Sequence, residues 1–208
     1  MLLCDRMLNM AVFCSGEGTN LQAIIEAIKC GDIRANISLV ISDKKEAYAL
    51  ERAKRNRIKT MFIDPKAFSS ISQFENKIIS SLKKEDVKLI VLAGFMRILS
   101  PFFVEKYYYE ILNIHPSLLP AFKGSANAIK DALDYGVKIT GSTVHFVDEK
   151  LDNGPIIIQR AVEIKEDDDE ESLRQKIHQQ EHIIYPLAIK FFVEKKLKIQ
   201  GRKVEIEN

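Results

Sequence analysis

The 208-residue chain has no apolar run close to the roughly 20 residues that a membrane-spanning helix needs. Its three cysteines are odd in number and show no CxxC spacing, which argues against a disulfide framework. The formal net charge of +2 leaves no strong basic field for nucleic acid or an anionic membrane. The first six residues hold an acid and a base where a signal peptide would continue its apolar core. We therefore expect a cytoplasmic protein that acts without nucleic acid, membrane or metal.

Apolar strand patterns and amphipathic helix patterns alternate along the chain. Runs such as residues 10–14 and 89–93 are short and wholly apolar, as buried parallel strands are. The segments between such runs carry apolar residues at helical spacing, which indicates helices that pack one face on a sheet. This alternation predicts an α/β fold in which a doubly wound, mostly parallel sheet forms a single domain.

We expect that domain to cover residues 1–208, with residues 1–8 as a flexible N-terminal extension and a helix and hairpin at the C-terminal end. The acidic run at residues 167–171 should open the long helix by complementing its dipole, and not bind a metal. Pro186 should kink or split this helix, because proline lacks the N–H that the helix interior uses. Alternating runs on either side of Gly201 predict the hairpin.

The first predicted strand ends in Ser-Gly-Glu-Gly-Thr-Asn, residues 15–20, called the phosphate loop below. A glycine-rich turn between a strand and a helix N-terminus is an anion site, because glycines admit the ligand and free N–H groups point outward. Thr19 or Asn20 can cap the helix. Leu21 stands where a dinucleotide fingerprint has its third glycine, so a mononucleotide-sized phosphate fits better than NAD. The alternative is a plain tight turn.

Asn113 and His115 lie two residues apart on a predicted strand, so both side chains project from one face. Pro116 ends the strand, and ligands of parallel α/β sheets bind where strands end. The loop that holds Asp152 should join them there, after the sixth predicted strand. An amide for the oxyanion, an imidazole for the proton and a carboxylate that raises the imidazole pKa suit direct acyl transfer to an amine. Taken alone, His115 is more often a structural histidine.

Two other features have plain structural alternatives. Residues 94–101 follow a strand and place large apolar side chains after a glycine, so Met96, Ile98 and Leu99 would line a slot for a flat heterocycle. By residue type alone, a core-packing loop is favoured there. His145 and His182 are interpreted as structural residues or as supports for others, since scattered histidines without cysteine partners are no zinc site.

Five segments carry a resemblance that spans residues 10 to about 197. They closely resemble segments of the phosphoribosylglycinamide formyltransferase family, and they occur in the same order. This resemblance implies that 10-formyltetrahydrofolate, as co-substrate and without a metal, donates a formyl group to the amino group of 5-phosphoribosylglycinamide in de novo purine biosynthesis. The segments are Ser-Gly-Glu-Gly-Thr-Asn-Leu-Gln (15–22), Leu-Ala-Gly-Phe-Met-Arg-Ile-Leu-Ser-Pro (92–101), Asn-Ile-His-Pro-Ser-Leu-Leu-Pro (113–120), Leu-Asp-Asn-Gly-Pro (151–155) and Gln-Glu-His-Ile-Ile-Tyr-Pro (180–186).

The resemblance also implies a role for individual residues. His115 would be the proton donor, Asn113 would stabilise the oxyanion, and Asp152 would raise the pKa of His115. The residues implied in folate binding are Met96, Arg97, Ile98, Leu99, Asn113, Asp148 and Asp152. The residues implied in ribonucleotide binding are Gly18, Thr19, Asn20, Pro116, Ser117 and Glu181.

This interpretation has two departures from the family pattern and four alternatives. Ile71 stands roughly where many relatives have an arginine that contacts folate, and Ser-Ala-Asn follows Gly124 where some have histidines. Methionyl-tRNA formyltransferase and formyltetrahydrofolate deformylase share the core but carry a further domain. A non-catalytic nucleotide-binding module and a dinucleotide-linked oxidoreductase are more distant alternatives. We expect small-molecule substrates and a monomer or homodimer.

Overall fold

The structure is a computed structural model, and it describes residues 7–207. The chain divides into two compact units, of which the first ends at Met96 and the second begins at Arg97. The predicted extension over residues 1–8 falls mostly outside the described residues. Its last residue, Leu8, is instead the first residue of a strand, so the ordered fold begins earlier than predicted.

The first unit alternates strands and helices, as the sequence predicts. Its sheet has the order β3-β2-β1-β4 with every neighbouring pair parallel, where β1 is Leu8–Phe13, β2 is Ala35–Ser42, β3 is Thr60–Phe62 and β4 is Leu89–Leu92. All of β4 and residues 10–13 of β1 are apolar and buried, as strands with both faces covered are. The helices are α1 (Thr19–Lys29), α2 (Tyr48–Arg55) and α3 (Ile71–Lys84).

The second unit consists of a mixed sheet and three α-helices. Its elements are α4 (Pro101–Lys106), β5 (Ile111–His115), α5 (Ala128–Tyr135), β6 (Ile139–Phe146), β7 (Ile156–Glu163), α6 (Glu170–Val193), β8 (Leu197–Gln200) and β9 (Lys203–Ile206). The strand order is β5-β6-β7-β9-β8. β6 runs antiparallel to both of its neighbours, β5 and β7, while β7 and β9 are parallel. The predicted terminal hairpin is β8 with β9.

The long helix α6 closes the second unit. Its entry is as predicted: Asp169 accepts from the Ser172 N–H at 2.8 Å, and the Ser172 hydroxyl accepts from the Asp169 N–H at 3.0 Å. The helix continues through Pro186, so of the two predicted outcomes the split is wrong and the kink stays a prediction. Leu173 and Ile177 bury one face of α6 against Ile129 of α5 and Val162 of β7. Within residues 7–207, no helix combines the length and apolarity that crossing a membrane requires.

Candidate active site

The phosphate loop turns from β1 into α1 in the first unit. Gly18 is the residue before the helix, and its φ of 71° lies in the left-handed region that favours glycine. A Cβ at this position would lie 2.7 Å from the Ala49 Cβ. The prediction that Thr19 or Asn20 caps α1 is wrong, because α1 begins at Thr19 and the capping position belongs to Gly18. Thr19 and buried Asn20 thus lie in the first turn, where helix N–H groups have no partner within the helix.

The strand β4 leads into the loop expected to hold the pterin. In the first unit, Met96 is 67% exposed and its backbone N–H donates to the Ser15 hydroxyl at 3.0 Å. In the second unit, Ile98 is 75% exposed and Arg97 is exposed, whereas Leu99 is buried at 9%. Of the three side chains predicted to line a slot, the core-packing alternative therefore describes Leu99 alone.

In the second unit, Asp152 contacts the other two predicted catalytic residues, Asn113 and His115. Its Oδ2 lies 3.4 Å from Nδ1 of His115, and its Oδ1 accepts from the Asn113 amide at 3.4 Å. The side chains of His115 and Asp152 are nearly buried, at 7% and 9% exposure. An amide, an imidazole and a carboxylate from two distant segments therefore lie in one cluster, called the catalytic cluster below. Low solvent access strengthens the electrostatic interactions within it.

The two nitrogens of the His115 ring both face hydrogen-bond acceptors. Nδ1 faces the Asp152 carboxylate, and Nε2 lies 3.2 Å from the carbonyl oxygen of Phe122. A neutral imidazole has one donor and one acceptor, so only the doubly protonated ring can donate to both groups. The arrangement suits a ring that carries a proton ready to be delivered.

His145 lies near the other carboxylate oxygen of Asp152, with its Nε2 3.7 Å from Oδ1, and its ring is neutral. Its Nδ1 donates to the Phe146 carbonyl at 2.7 Å, and its Nε2 lies 3.2 Å from the Asn113 amide nitrogen. Burial lowers the pKa of His145, which keeps the ring neutral with an acceptor at Nε2. The neutral ring therefore fixes which way the Asn113 amide points. The sequence interpretation of His145 as a support agrees with this contact.

Asp152 reaches the cluster by a route that the sequence did not predict. The prediction placed the carboxyl end of the sixth strand at the same edge as that of the fifth, but β6 is antiparallel to β5. Phe146 at the end of β6 therefore pairs with Leu112, near the start of β5. Residues 147–155 form a loop that returns Asp152 to Asn113 and His115.

This loop has a constrained backbone around Asp152. Asp152 has a φ of 46°, a left-handed conformation that costs a non-glycine residue energy and is concentrated at functional sites. A Cβ at Gly154 would lie 1.9 Å from the Phe146 carbonyl oxygen, so only glycine fits two residues later. Asp148 braces the loop by accepting from the Lys150 N–H at 3.0 Å and the Asn153 amide at 2.6 Å. Its predicted role in folate binding stays a prediction.

Residues 121–125 cover the catalytic cluster, and the sequence interpretation did not assign them a role there. The Gly124 N–H donates to Asp152 Oδ2 at 3.0 Å, and Lys123 donates to Asn153 at 2.7 Å. With the Phe122 carbonyl on His115, this segment contacts both the imidazole and the carboxylate. The contacts of Phe122 and Gly124 use backbone groups, so side-chain identity carried no signal for them. The glycine at 124, with a φ of 75°, was the single clue.

The predicted ribonucleotide residues of the second unit differ in their surroundings. Pro116 is half-buried beside His115, whereas Ser117 is fully buried and its hydroxyl donates to the Ala121 carbonyl at 2.6 Å. The Thr143 hydroxyl donates to the Ser117 carbonyl at 2.6 Å, which fixes the chain after β5. Glu181 is 4% exposed on α6. Ser117 thus supports the loop in this conformation.

The sequence profile of the formyl transferase family matches residues 8–189. The chain therefore belongs to the formyl transferase family, a class that its fold and its amide, imidazole and carboxylate cluster fit.

Its relatives within that family carry a more specific name. The phosphoribosylglycinamide formyltransferase of Bacillus subtilis (strain 168) is 44% identical over 184 residues, which are 88% of this chain and 94% of the relative. That of Escherichia coli (strain K12) is 42% identical over 92% of this chain and 90% of the relative. The crystal structure of glycinamide ribonucleotide transformylase 1 from Symbiobacterium toebii matches 97% of this chain and 95% of its own, with 45% identity and a TM-score of 0.94. These relatives confirm the predicted membership among the phosphoribosylglycinamide formyltransferases and the α/β fold with its mostly parallel sheet.

Proposed function

We propose that this chain transfers the formyl group of 10-formyltetrahydrofolate to the amino group of 5-phosphoribosylglycinamide in de novo purine biosynthesis. The observation that carries the proposal is the catalytic cluster, in which Asp152 joins Asn113 and His115. In the reaction, the amine nitrogen bonds to the formyl carbon and the bond from that carbon to the folate nitrogen breaks. One proton leaves the amine and one proton reaches the folate nitrogen.

His115 supplies the proton, and Asp152 holds the positive charge of its ring. The contacts of Nδ1 with Asp152 and of Nε2 with the Phe122 carbonyl support this role, since both favour the protonated ring. A positioned acid of this kind contributes about 10²–10⁴ in rate. The contact between the Phe122 carbonyl and Nε2 of His115 breaks when the substrates bind, so residues 121–125 move during each turnover.

Asn113 stabilises the negative charge that develops on the formyl oxygen. Its amide nitrogen now donates to His145 at 3.2 Å and to Asp152 at 3.4 Å. The contact with Asp152 is the longer and weaker of the two, so this N–H is the one that turns to the oxyanion. The bond to His145 meanwhile keeps the amide oriented.

Binding of the two substrates is assigned to separate groups. We propose that Gly18, Thr19 and Asn20 bind the phosphate through the helix N-terminus, and that Pro116, Ser117 and Glu181 contact the rest of the ribonucleotide. For the folate, exposed Met96 and Ile98 offer apolar surface to a flat ring, and Asp148 and Asp152 offer acceptors to its polar edge. Arg97 and Leu99 complete that set. Ile71 is 62% exposed, so this surface position offers the folate no positive charge.

Transfer proceeds without a covalent enzyme intermediate. The Ser117 hydroxyl is fully buried and occupied by the Ala121 carbonyl. Burial raises the pKa of the Cys14 thiol to about 12, so Cys14 stays protonated and is a poor nucleophile. We further propose that the chain is one formyltransferase domain that acts in the cytoplasm as a monomer or homodimer.

The test mixes the purified protein with glycinamide ribonucleotide and 10-formyltetrahydrofolate and follows the absorbance of the folate product. Turnover that requires both substrates supports the proposal, and its absence contradicts it. In the same assay, His115→Ala should lose about two or more orders of magnitude in kcat while ribonucleotide binding stays intact, because the proton donor is removed. Near-normal turnover in this variant would show that a group other than His115 donates the proton.

A further inference from the structure

The N-terminal half of α2 contacts the phosphate loop at three consecutive residues, Gly16, Glu17 and Gly18. The Ala49 N–H donates to the Gly16 carbonyl at 3.1 Å, and Nε of Arg52 donates to the Glu17 carbonyl at 2.8 Å. Gly18 approaches Ala49 so closely that no side chain fits between them. Because Ala49 and Arg52 are three residues apart, both lie on one face of α2, and that face lies against the loop.

Holding these carbonyls also directs the neighbouring N–H groups. In a planar trans peptide, the C=O and the N–H point in opposite directions. The carbonyl of Gly16 shares a peptide plane with the N–H of Glu17, and the carbonyl of Glu17 shares one with the N–H of Gly18. With both carbonyls held toward α2, both N–H groups point away from α2. Successive N–H groups turned to one side form a concave anion site.

Arg52 is itself held in place by an aromatic ring. Its guanidinium lies over the Tyr48 ring, 4.8 Å from the centroid, and the side chain is half-buried. Arg55 occupies a matched position, 5.4 Å from the same centroid, but it donates to the Tyr48 hydroxyl at 2.9 Å and not to the loop. The two arginines therefore share a helix, a ring and a charge, and they differ in what they bind.

We infer that α2 sets the anion-binding conformation of the phosphate loop, and that Arg52 is a positioning residue for the ribonucleotide phosphate. This inference rests on the proposed function for the identity of the ligand. Arg52 acts through the Glu17 carbonyl, so it orients backbone donors that contact the phosphate. Its positive charge also favours an anion at the loop.

The experiment measures KM for each substrate, kcat, and the increase in melting temperature that inorganic phosphate gives. Arg52→Met should raise the KM for glycinamide ribonucleotide about tenfold, since a charge-assisted hydrogen bond that positions the site is lost. The folate KM and kcat should stay within about threefold, and most of the phosphate-induced stabilisation should vanish. Arg55→Met is the matched control, and its ribonucleotide KM should change less than about twofold.

A second substitution separates positioning from charge alone. Arg52→Gln keeps an N–H donor without the charge, so it should recover part of the affinity that Arg52→Met loses. Equal losses in Arg52→Gln and Arg52→Met, or equal effects at Arg52 and Arg55, would overturn the positioning role. Formyl transfer with a ribonucleotide KM insensitive to Arg52 would overturn this inference and leave the proposed function standing. If phosphate stabilisation depended on Arg52 but no formyl transfer occurred, the proposed function would be overturned and the positioning role of Arg52 would stand.

Discussion

The phosphate loop and the catalytic cluster are built in opposite ways. The loop is six consecutive residues, and what it offers a ligand is mainly backbone N–H groups set by Gly18 and the start of α1. The cluster joins side chains that are far apart in the chain, Asn113 and His115 on β5 and Asp152 in a loop. The loop should therefore tolerate changed side chains and fail on changed backbone geometry. The cluster should fail on a change of one charge.

The largest effect that this comparison predicts is at Asp152. Asp152→Asn keeps the size of the side chain but removes the charge that faces His115, so kcat should fall by about 10², close to the loss expected for His115→Ala. Steady-state kinetics measures kcat, with the KM values recorded alongside.

Asp148→Asn is the control for this prediction. Asp148 lies in the same loop, braces its backbone and is proposed to bind folate, so losing its charge tests the loop and the folate KM without removing a group of the catalytic cluster. We expect kcat to fall less than about tenfold in this variant. Equal losses at the two positions would mean that the carboxylates act on the loop alone.

A smaller and different effect is predicted at the phosphate loop. Gly18→Ala places a Cβ in a left-handed conformation and within 2.7 Å of the Ala49 Cβ, so the loop must shift. The ribonucleotide KM should rise about tenfold or more, while kcat stays within a few-fold, because binding geometry is lost and the catalytic groups are unchanged. Steady-state kinetics with each substrate varied in turn measures both.

Gly16→Ala provides the matched variant in the same loop. A Cβ at Gly16 meets no atom within 4 Å, so the ribonucleotide KM should change less than about threefold. If Gly16→Ala and Gly18→Ala raised KM equally, glycine content in general, and not the geometry at Gly18, would explain the effect.

The smallest effect concerns His145, the neutral histidine beside the catalytic cluster. Burial holds the pKa of His145 below its ordinary value, even though Asp152 and the Phe146 carbonyl act to raise it. In the unfolded chain the ring takes up a proton near pH 6.5, and the folded chain resists that uptake. Stability from this source is therefore full above about pH 6.5 and falls as the pH drops below it. His145→Gln should lose less stability than the wild type between pH 7 and pH 5.

Urea unfolding at both pH values measures this difference for each protein separately. A general destabilisation by the substitution cancels, because each variant is compared with itself. Identical pH slopes in the two proteins would show that His145 does not resist protonation. The expected difference is about 1.4 kcal/mol for each unit by which the pKa is lowered.

The local parts of both sites could be read from residue order. The strand, glycine-rich turn and helix of the phosphate loop follow from patterns within 20 residues, and the pairing of Asn113 with His115 follows from strand periodicity. The helix cap was mistaken because a side-chain oxygen is the usual cap, while here Gly18 occupies that position. That choice depends on Ala49, which is 31 residues away and leaves room only for glycine.

The direction of β6 shows the limit of such patterns. Period-two alternation identifies a strand but carries no information on whether it runs parallel or antiparallel to its neighbour. The antiparallel pairing of β5 with β6 moved the end of β6 away from the predicted edge, and a strained loop restored Asp152 to His115. Local patterns also misjudge Pro186, because the helix residues on both sides of it, such as Tyr185 and Ala188, are fully buried and their packing stabilises α6 through a local helix breaker.

The sequence by itself determined the alternation of strands and helices, the glycine-rich turn of the phosphate loop and the placement of Asn113 and His115 on one strand, because each depends on residue type and short spacing. The tertiary structure alone decided that Phe122 and Gly124 cover His115 and Asp152, that His145 orients Asn113, and that Arg52 holds the phosphate loop. These contacts join residues that are distant in the chain, and several use backbone atoms that every residue has. Their energies are only defined once the chain has brought the partners together.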